Sequence, residues 1–287
     1  MTIQKERLTP YFGAKGNTLL NIEDILSAGY EMKAAEAGSW RIYDEENPIP
    51  GYFEFDWLSS RFPDLYHEFA ISTIGLINKL HTIIDFSEMH VLDVGAGTGR
   101  SSIELSKRAK KVNSTDVFSS VIDFGKNEIQ RLGIHNIEYT YGDRDQLPFA
   151  DNTFDAVIFS WAEPNHKEAY RVLKNNGYII QMASIPEAIC GEITDYLHGT
   201  NNNDQKIFLS NYPDEFEQRD NTVFSSIPLA GLVNVHRFTY LSKYKSVEEL
   251  ASIVGRLYGP KAKEYFTTRK QDTYSWRNEI RIGQVVK

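Results

Sequence analysis

A single cysteine, Cys190, stands in 287 residues, and that scarcity excludes an internal disulfide and any metal site built from several thiolates. Cys190 itself reads as a small apolar residue buried with Ile189, Ile193 and Leu197 on a helix. Long apolar runs are missing too. None approaches the roughly 18 residues a membrane-crossing helix needs, and the opening Met1-Thr2-Ile3-Gln4-Lys5-Glu6 lacks the apolar region of a secretion signal. A cytoplasmic protein is the expectation. Positive charge is short as well: 31 Lys and Arg against 39 Asp and Glu leave a formal charge of −8, the wrong sign for phosphate backbones, so no nucleic-acid partner is expected. The one basic run, Lys107, Arg108, Lys110 and Lys111, falls in a helix's last turn, where cations complement the dipole. Neither a Ser-His-Asp set nor a metal-ligand cluster stands out, and no repeat or long Pro/Gly/Ser linker divides the chain, which fits one large α/β core with a cap.

What is present begins at residues 91 to 100, Val-Leu-Asp-Val-Gly-Ala-Gly-Thr-Gly-Arg, an apolar strand running into alternate glycines and then a helical pattern through Ile103 and Leu105. Gly95, Gly97 and Gly99 let the backbone turn tightly against a ligand, and the free N–H groups opening the next helix favour a polar or negative group. A dinucleotide fingerprint would need its third glycine at 100, where Arg100 stands. About 20 residues on, the strand Val112-Asn113-Ser114-Thr115-Asp116 ends in a carboxylate suited to ribose hydroxyls, with Val117 and Phe118 as an apolar face for a base. The alternative role for Asp116 is to cap the following helix, a task open also to Ser119 or Ser120.

A third stretch reads Tyr141-Gly142-Asp143-Arg144-Asp145-Gln146-Leu147-Pro148-Phe149, then Phe154-Asp155-Ala156-Val157. With the Gly-x-Gly-x-Gly turn, this string resembles the class I S-adenosylmethionine-dependent methyltransferases, in particular the small-molecule type 11, UbiE-like members. The resemblance covers residues 89 to 183. It implies an α/β, doubly wound, Rossmann-like sheet of seven strands with the last antiparallel, to which the residues outside the match add an N-terminal helical and aromatic cap and an insertion after the fifth strand. It implies S-adenosyl-L-methionine as cofactor and S-adenosyl-L-homocysteine as product. Asp93, Gly95, Ala96, Gly97 and Gly99 would cradle the cofactor, with Asp116 and Val117 at the ribose and base. Asp143 would take the adenine amine, a charged acceptor that strengthens the bond, while the Arg144 N–H would reach a ring nitrogen and Ser160 would border the methyl-transfer centre. Asn175-Asn176 replace the family's usual proline and glycine, a change Asn tolerates in left-handed backbone. The segment from Trp161 to Glu168 is shorter than is usual.

The expected organisation is residues 1–85 as N-terminal cap and edge helix, 86–184 as cofactor core, 185–230 as an insertion serving as a lid or a surface excursion, and 231–287 as strands and helix completing the sheet. Apolar residues from Leu65 to Leu80 fit one helix on the sheet's edge. Ser246 and Glu249 form a capping box for a late helix.

Methyl transfer from a sulfonium is an in-line displacement with a good leaving group, so the protein must align, dry the site and, for some acceptors, supply a base. His166 is the best-placed base, or else simply the exposed start of a helix; Glu163 is a weaker candidate, and His135 belongs to a distant loop. Trp161, Tyr52 and Trp57 are candidate walls for a small-molecule acceptor, though large rings also pack as core. Two other readings stand beside the methyltransferase: a non-catalytic cofactor sensor on the same fold, and a nicotinamide oxidoreductase, which Arg100 disfavours.

Overall fold

A computed structural model describes residues 31–34, 40–43, 59, 63–70, 72–184, 215–220, 224–258 and 260–287. Tyr52, Trp57, Cys190 and most of the 185–230 insertion lie outside them. The N-terminal region contributes an antiparallel ribbon, β1 (Glu31–Ala34) with β2 (Trp40–Tyr43), and two helices, α1 (Pro63–Phe69) and α2 (Ser72–Leu80). Strands and helices then alternate: β3 (His90–Val94), α3 (Arg100–Ser106), β4 (Lys111–Asp116), α4 (Ser119–Arg131), β5 (Ile137–Tyr141), β6 (Phe154–Ser160), α5 (His166–Val172) and β7 (Leu173–Ser184). The remainder is β8 (Glu215–Asp220), β9 (Val233–Lys243), α6 (Val247–Tyr258), α7 (Pro260–Arg269) and β10 (Thr273–Gln284).

The main sheet runs β5-β4-β3-β6-β7-β10-β9-β8. Its first five strands are parallel, and β10 pairs antiparallel with both β7 and β9. The expected antiparallel final strand is therefore β10. An eighth strand extends the expected seven: β8, from inside the insertion, adds to the outer edge of β9. The sheet is doubly wound because β4 follows β3 to one side while β6 crosses to the other, opening a crevice at the carboxyl ends of β3 and β6.

Central strands of such a sheet are covered on both faces and must be apolar throughout. In β6, Phe154, Ala156, Val157, Ile158 and Phe159 are all fully buried. One face packs Val91, Ala156, Ile158 and Ile180 against Leu76, Ile77 and Leu80 of α2, and the other packs Leu92, Val157 and Phe159 against Ala169 and Val172 of α5. Each of the Val, Leu, Ile and Phe side chains among them contributes about 1.5–3 kcal/mol by leaving water.

The single helix expected over Leu65–Leu80 is two helices, of which α2 lies on the sheet's face, not its edge. The stripe of Leu76, Ile77 and Leu80 requires that cover, and Gly75 permits a close approach, since a Cβ there would strike the Tyr240 ring. Asn176 adopts φ 61°, the left-handed turn its side chain tolerates. Ser246 Oγ accepts the Glu249 N–H at 3.1 Å, and Glu249 in return accepts the Lys245 N–H at 2.8 Å, so the capping box forms one residue wider than usual. Among the described residues no helix is long and apolar enough to cross a membrane.

Candidate active site at the carboxyl ends of the parallel strands

The glycine turn follows β3 directly. Gly95, Gly97 and Gly99 have φ of 69°, 55° and 80°, values that side chains rarely adopt. A Cβ on Gly95 would lie 2.6 Å from Ala162 Cβ, so the turn also needs the space. The Ala96 N–H donates to the Thr115 carbonyl at 2.9 Å, tying the turn to the end of β4. The Tyr139 hydroxyl donates to the Gly97 carbonyl from beneath.

Asp116 ends β4 beside this turn. Its Oδ2 accepts the Gly97 N–H at 2.9 Å, and Oδ1 accepts the Val117 and Phe118 N–H groups at 2.8 and 3.0 Å. Neither Ser119 nor Ser120 caps α4, whose N-cap Phe118 has no side-chain hydrogen bond. Burial pushes the Asp116 carboxyl above its ordinary pKa, and the three N–H bonds pull against that shift. A carboxylate has about four lone-pair sites, so one remains for a ligand hydroxyl.

Asp93, fully buried in β3, accepts the Ser101 hydroxyl and, at 2.6 Å, the Ser102 hydroxyl on Oδ2, and Ser114 Oγ supports Ser102 at 2.7 Å. Its Oδ1 is buried without a partner. Desolvation raises the Asp93 pKa to about 6, against the opposing serine bonds. A buried carboxylate oxygen left bare on the glycine turn suits a cationic group of a bound ligand.

At the end of β5, the Gly142 N–H donates to the Asp116 carbonyl at 3.1 Å, which sets Asp143 next to Asp116. Asp143 Oδ1 accepts the Asp145 N–H at 2.9 Å, the turn role open to any such aspartate. The Arg144 guanidinium pairs with Glu163 at 2.8 Å. Downstream, Arg171 of α5 donates to the Leu147 and Phe149 carbonyls at 3.0 and 2.8 Å, which explains why that stretch holds a fixed shape.

The structure thus brings Asp93, the glycine turn, Asp116 and Asp143 together on adjacent strand ends. Residues 91–177 match the profile of a methyltransferase domain.

That similarity covers less than half of the chain.

The C-methyltransferase UbiE of ubiquinone/menaquinone biosynthesis from Haemophilus ducreyi is 37% identical over 101 residues, 31% of this chain and 39% of the relative. UbiE of Escherichia coli O9:H4 is 33% identical over 101 residues, 31% of this chain and 40% of the relative. The chain therefore spans about two fifths of the length of the curated relatives it matches. Among solved structures, a putative methyltransferase from Bacillus halodurans is 20% identical with a TM-score of 0.46, covering 74% of this chain and 99% of that one.

The bare Asp93 oxygen, the left-handed glycines and the remaining lone pair of Asp116 fit S-adenosylmethionine, the cofactor that the resemblance implies. Ser160 ends β6 with its Oγ buried and unpartnered. Trp161 follows at φ 54°, partly exposed above the strand ends. His166 opens α5, which Asn165 caps by accepting the Lys167 and Glu168 N–H groups. Its Nδ1 lies 3.2 Å from Ser226 Oγ, its ring meets Phe224 edge-on, and its Nε2 is buried without a partner. Burial lowers the His166 pKa. Glu163 is exposed and committed to Arg144, and His135 lies in an exposed loop after α4.

Sequence reasoning missed how α1 covers the turn. His67 Nδ1 lies 3.0 Å from Thr98 Oγ1, and the Arg100 guanidinium donates to the His67 carbonyl at 2.7 and 3.2 Å. Tyr66 rests over Gly97, 3.2 Å from where a Cβ would stand. Burial and the nearby Arg100 charge hold the His67 pKa down at about 4. Arg100, which argued against a dinucleotide fingerprint, thus fastens the cap to the core. Nothing local in the sequence pairs it with a carbonyl 33 residues upstream.

Proposed function

We propose that this protein transfers a methyl group from S-adenosylmethionine to a small-molecule acceptor. The observation that carries the reading is the convergence of the left-handed glycine turn with three carboxylates, Asp93, Asp116 and Asp143, at neighbouring strand ends. When bound, the cofactor supplies an electrophilic methyl on a sulfonium. Asp116 would hold a ribose hydroxyl and Val117 face the adenine. Asp143 would accept the adenine amine, with the Arg144 N–H at a ring nitrogen. Asp93 Oδ1 would take the ammonium of the methionine moiety above Gly95, Ala96 and Gly97, with Gly99 opening α3.

The chain's own contribution to chemistry is alignment and exclusion of water. Ser160 and Trp161 would border the acceptor. His166, kept neutral at pH 7 by its lowered pKa, would accept a proton at Nε2 from acceptors that must lose one. Tyr52 and Trp57 remain proposed acceptor walls, the 185–230 region a proposed lid, and the cytoplasm the proposed location. The UbiE relatives support a C-methyltransferase acting on a quinone-pathway intermediate as the finer reading.

The non-catalytic sensor is favoured by one observation, the commitment of Glu163 to Arg144, which leaves a single candidate base. Incubation with methyl-labelled S-adenosylmethionine and a bacterial metabolite extract, followed by mass identification of the labelled product, decides between them. Label in a small molecule is the expected result. Cofactor binding without any labelled product would replace the enzyme by the sensor.

A further inference from the structure

Asn278 in β10 is fully buried, and neither its Nδ2 nor its Oδ1 has a hydrogen-bond partner. A carboxamide brings two donors and an acceptor with two lone pairs, and burying them unpaired is costly where an apolar residue of the same shape would not be. Its surroundings explain the deficit. Phe238 sits opposite on β9, and the next residue on its face, Ile280, pairs with Met182 of β7; all three belong to the apolar cluster under α2.

The position is as informative as the deficit. Asn278 pairs in register with Ser184, the last residue of β7, on the same carboxyl edge as the glycine turn. Ser160, whose Oγ is also buried and unpartnered, pairs with Met182 from the other side. Ser160 therefore stands beside Met182, and Asn278 lies on the same face two strands over and one residue pair further along, beside Ser184, on the order of 10 Å away.

We propose that Asn278 determines acceptor specificity by hydrogen-bonding the acceptor through its carboxamide. The matching ligand is neutral and presents a donor beside an acceptor: an amide, a lactam, or a hydroxyl next to a carbonyl. A charged group would lose its hydration against Phe238, Met182 and Ile280, an apolar cluster that among the described residues offers it no opposite charge. The inference rests on the methyl-transfer reading.

The test uses the full chain with labelled S-adenosylmethionine and a bacterial metabolite extract, its products separated by anion exchange. The wild type should place label in the unretained, neutral fraction. Asn278→Leu should label at least tenfold more slowly with dilute extract and recover with concentrated extract, a KM effect, while its cofactor affinity by calorimetry stays within twofold of wild type. Should the Leu variant fold poorly, Asn278→Ala carries the same comparison. Equal labelling by wild type and variant at every dilution overturns the assignment, as does label confined to the retained, anionic fraction. A wild type that labels nothing removes the methyl-transfer reading and this proposal together, an outcome distinct from an active wild type with an indifferent variant.

Discussion

In the parallel half of the sheet, buried carboxylates are held by backbone N–H groups and serine hydroxyls: Asp116 by three N–H groups, Asp93 by Ser101 and Ser102. In the antiparallel half, side chain answers side chain. Glu279 of β10 is buried between the guanidinium groups of Arg237 and Arg281, and Asn278 beside it is answered by nothing. Under the proposed function, the contrast separates two kinds of ligand recognition. A cofactor of constant shape can be met by main-chain geometry, which a short motif encodes. An acceptor that differs between enzymes must be met by single side chains placed through strand register.

The sharpest break of this contrast comes from Gly95→Val. With φ at 69° and Ala162 in the path of any Cβ, the turn must be displaced, and calorimetry should show S-adenosylmethionine affinity falling by more than about a hundredfold. Asp116→Ala should weaken the same binding by about 1–3 kcal/mol, ten- to a hundredfold, by loss of charged hydrogen bonds; unchanged affinity would remove the ribose assignment. Glu279→Ala should act on the other half alone. It leaves two arginines without their shared anion and should cost about 3 kcal/mol of stability in denaturant unfolding, with cofactor affinity unaltered.

Smaller still is a pH effect. The folded-state pKa of Asp93, raised to about 6 from 3.8 by burial, means that folding takes up a proton between those values. Its contribution to stability is therefore full below pH 3.8 and lost as pH rises through 6. His67, lowered from 6.5 to about 4, works the other way: stability is lost as pH falls through that window. Because only ionised Asp93 can hold an ammonium, cofactor affinity should rise about tenfold between pH 5 and pH 7, and a flat profile by calorimetry would detach Asp93 from the cofactor. Arg144→Ala should change affinity less than about twofold, since its side chain serves partly exposed contacts with Glu163 and Asp145.

The same contrast explains what the sequence disclosed. The glycine turn, Asp116, Asp143 and the Asn176 turn are local: each needs a backbone conformation or strand end that a few neighbouring residues specify. The long-range features were hidden for the same reason. That Asp116 spends three of its lone-pair sites on N–H groups, that α1 clamps the turn through Arg100 and His67, and that β8 widens the sheet all depend on contacts between distant segments. Asn278 was the least legible, because a polar residue in an alternating strand looks solvent-facing until β9 and α2 are known to cover it.

The hydrogen bond from Gly97 N–H to Asp116 has a consequence for how the cofactor would arrive. It joins the glycine turn to the end of β4 through contacts of the fold itself, so the turn and the carboxylate are held in one arrangement. The conformational entropy of that arrangement is lost during folding, and association draws on little further ordering of the loop. A calorimetric signature of modest entropic penalty, with no change in the folded content of residues 95–99, is what such preorganisation produces.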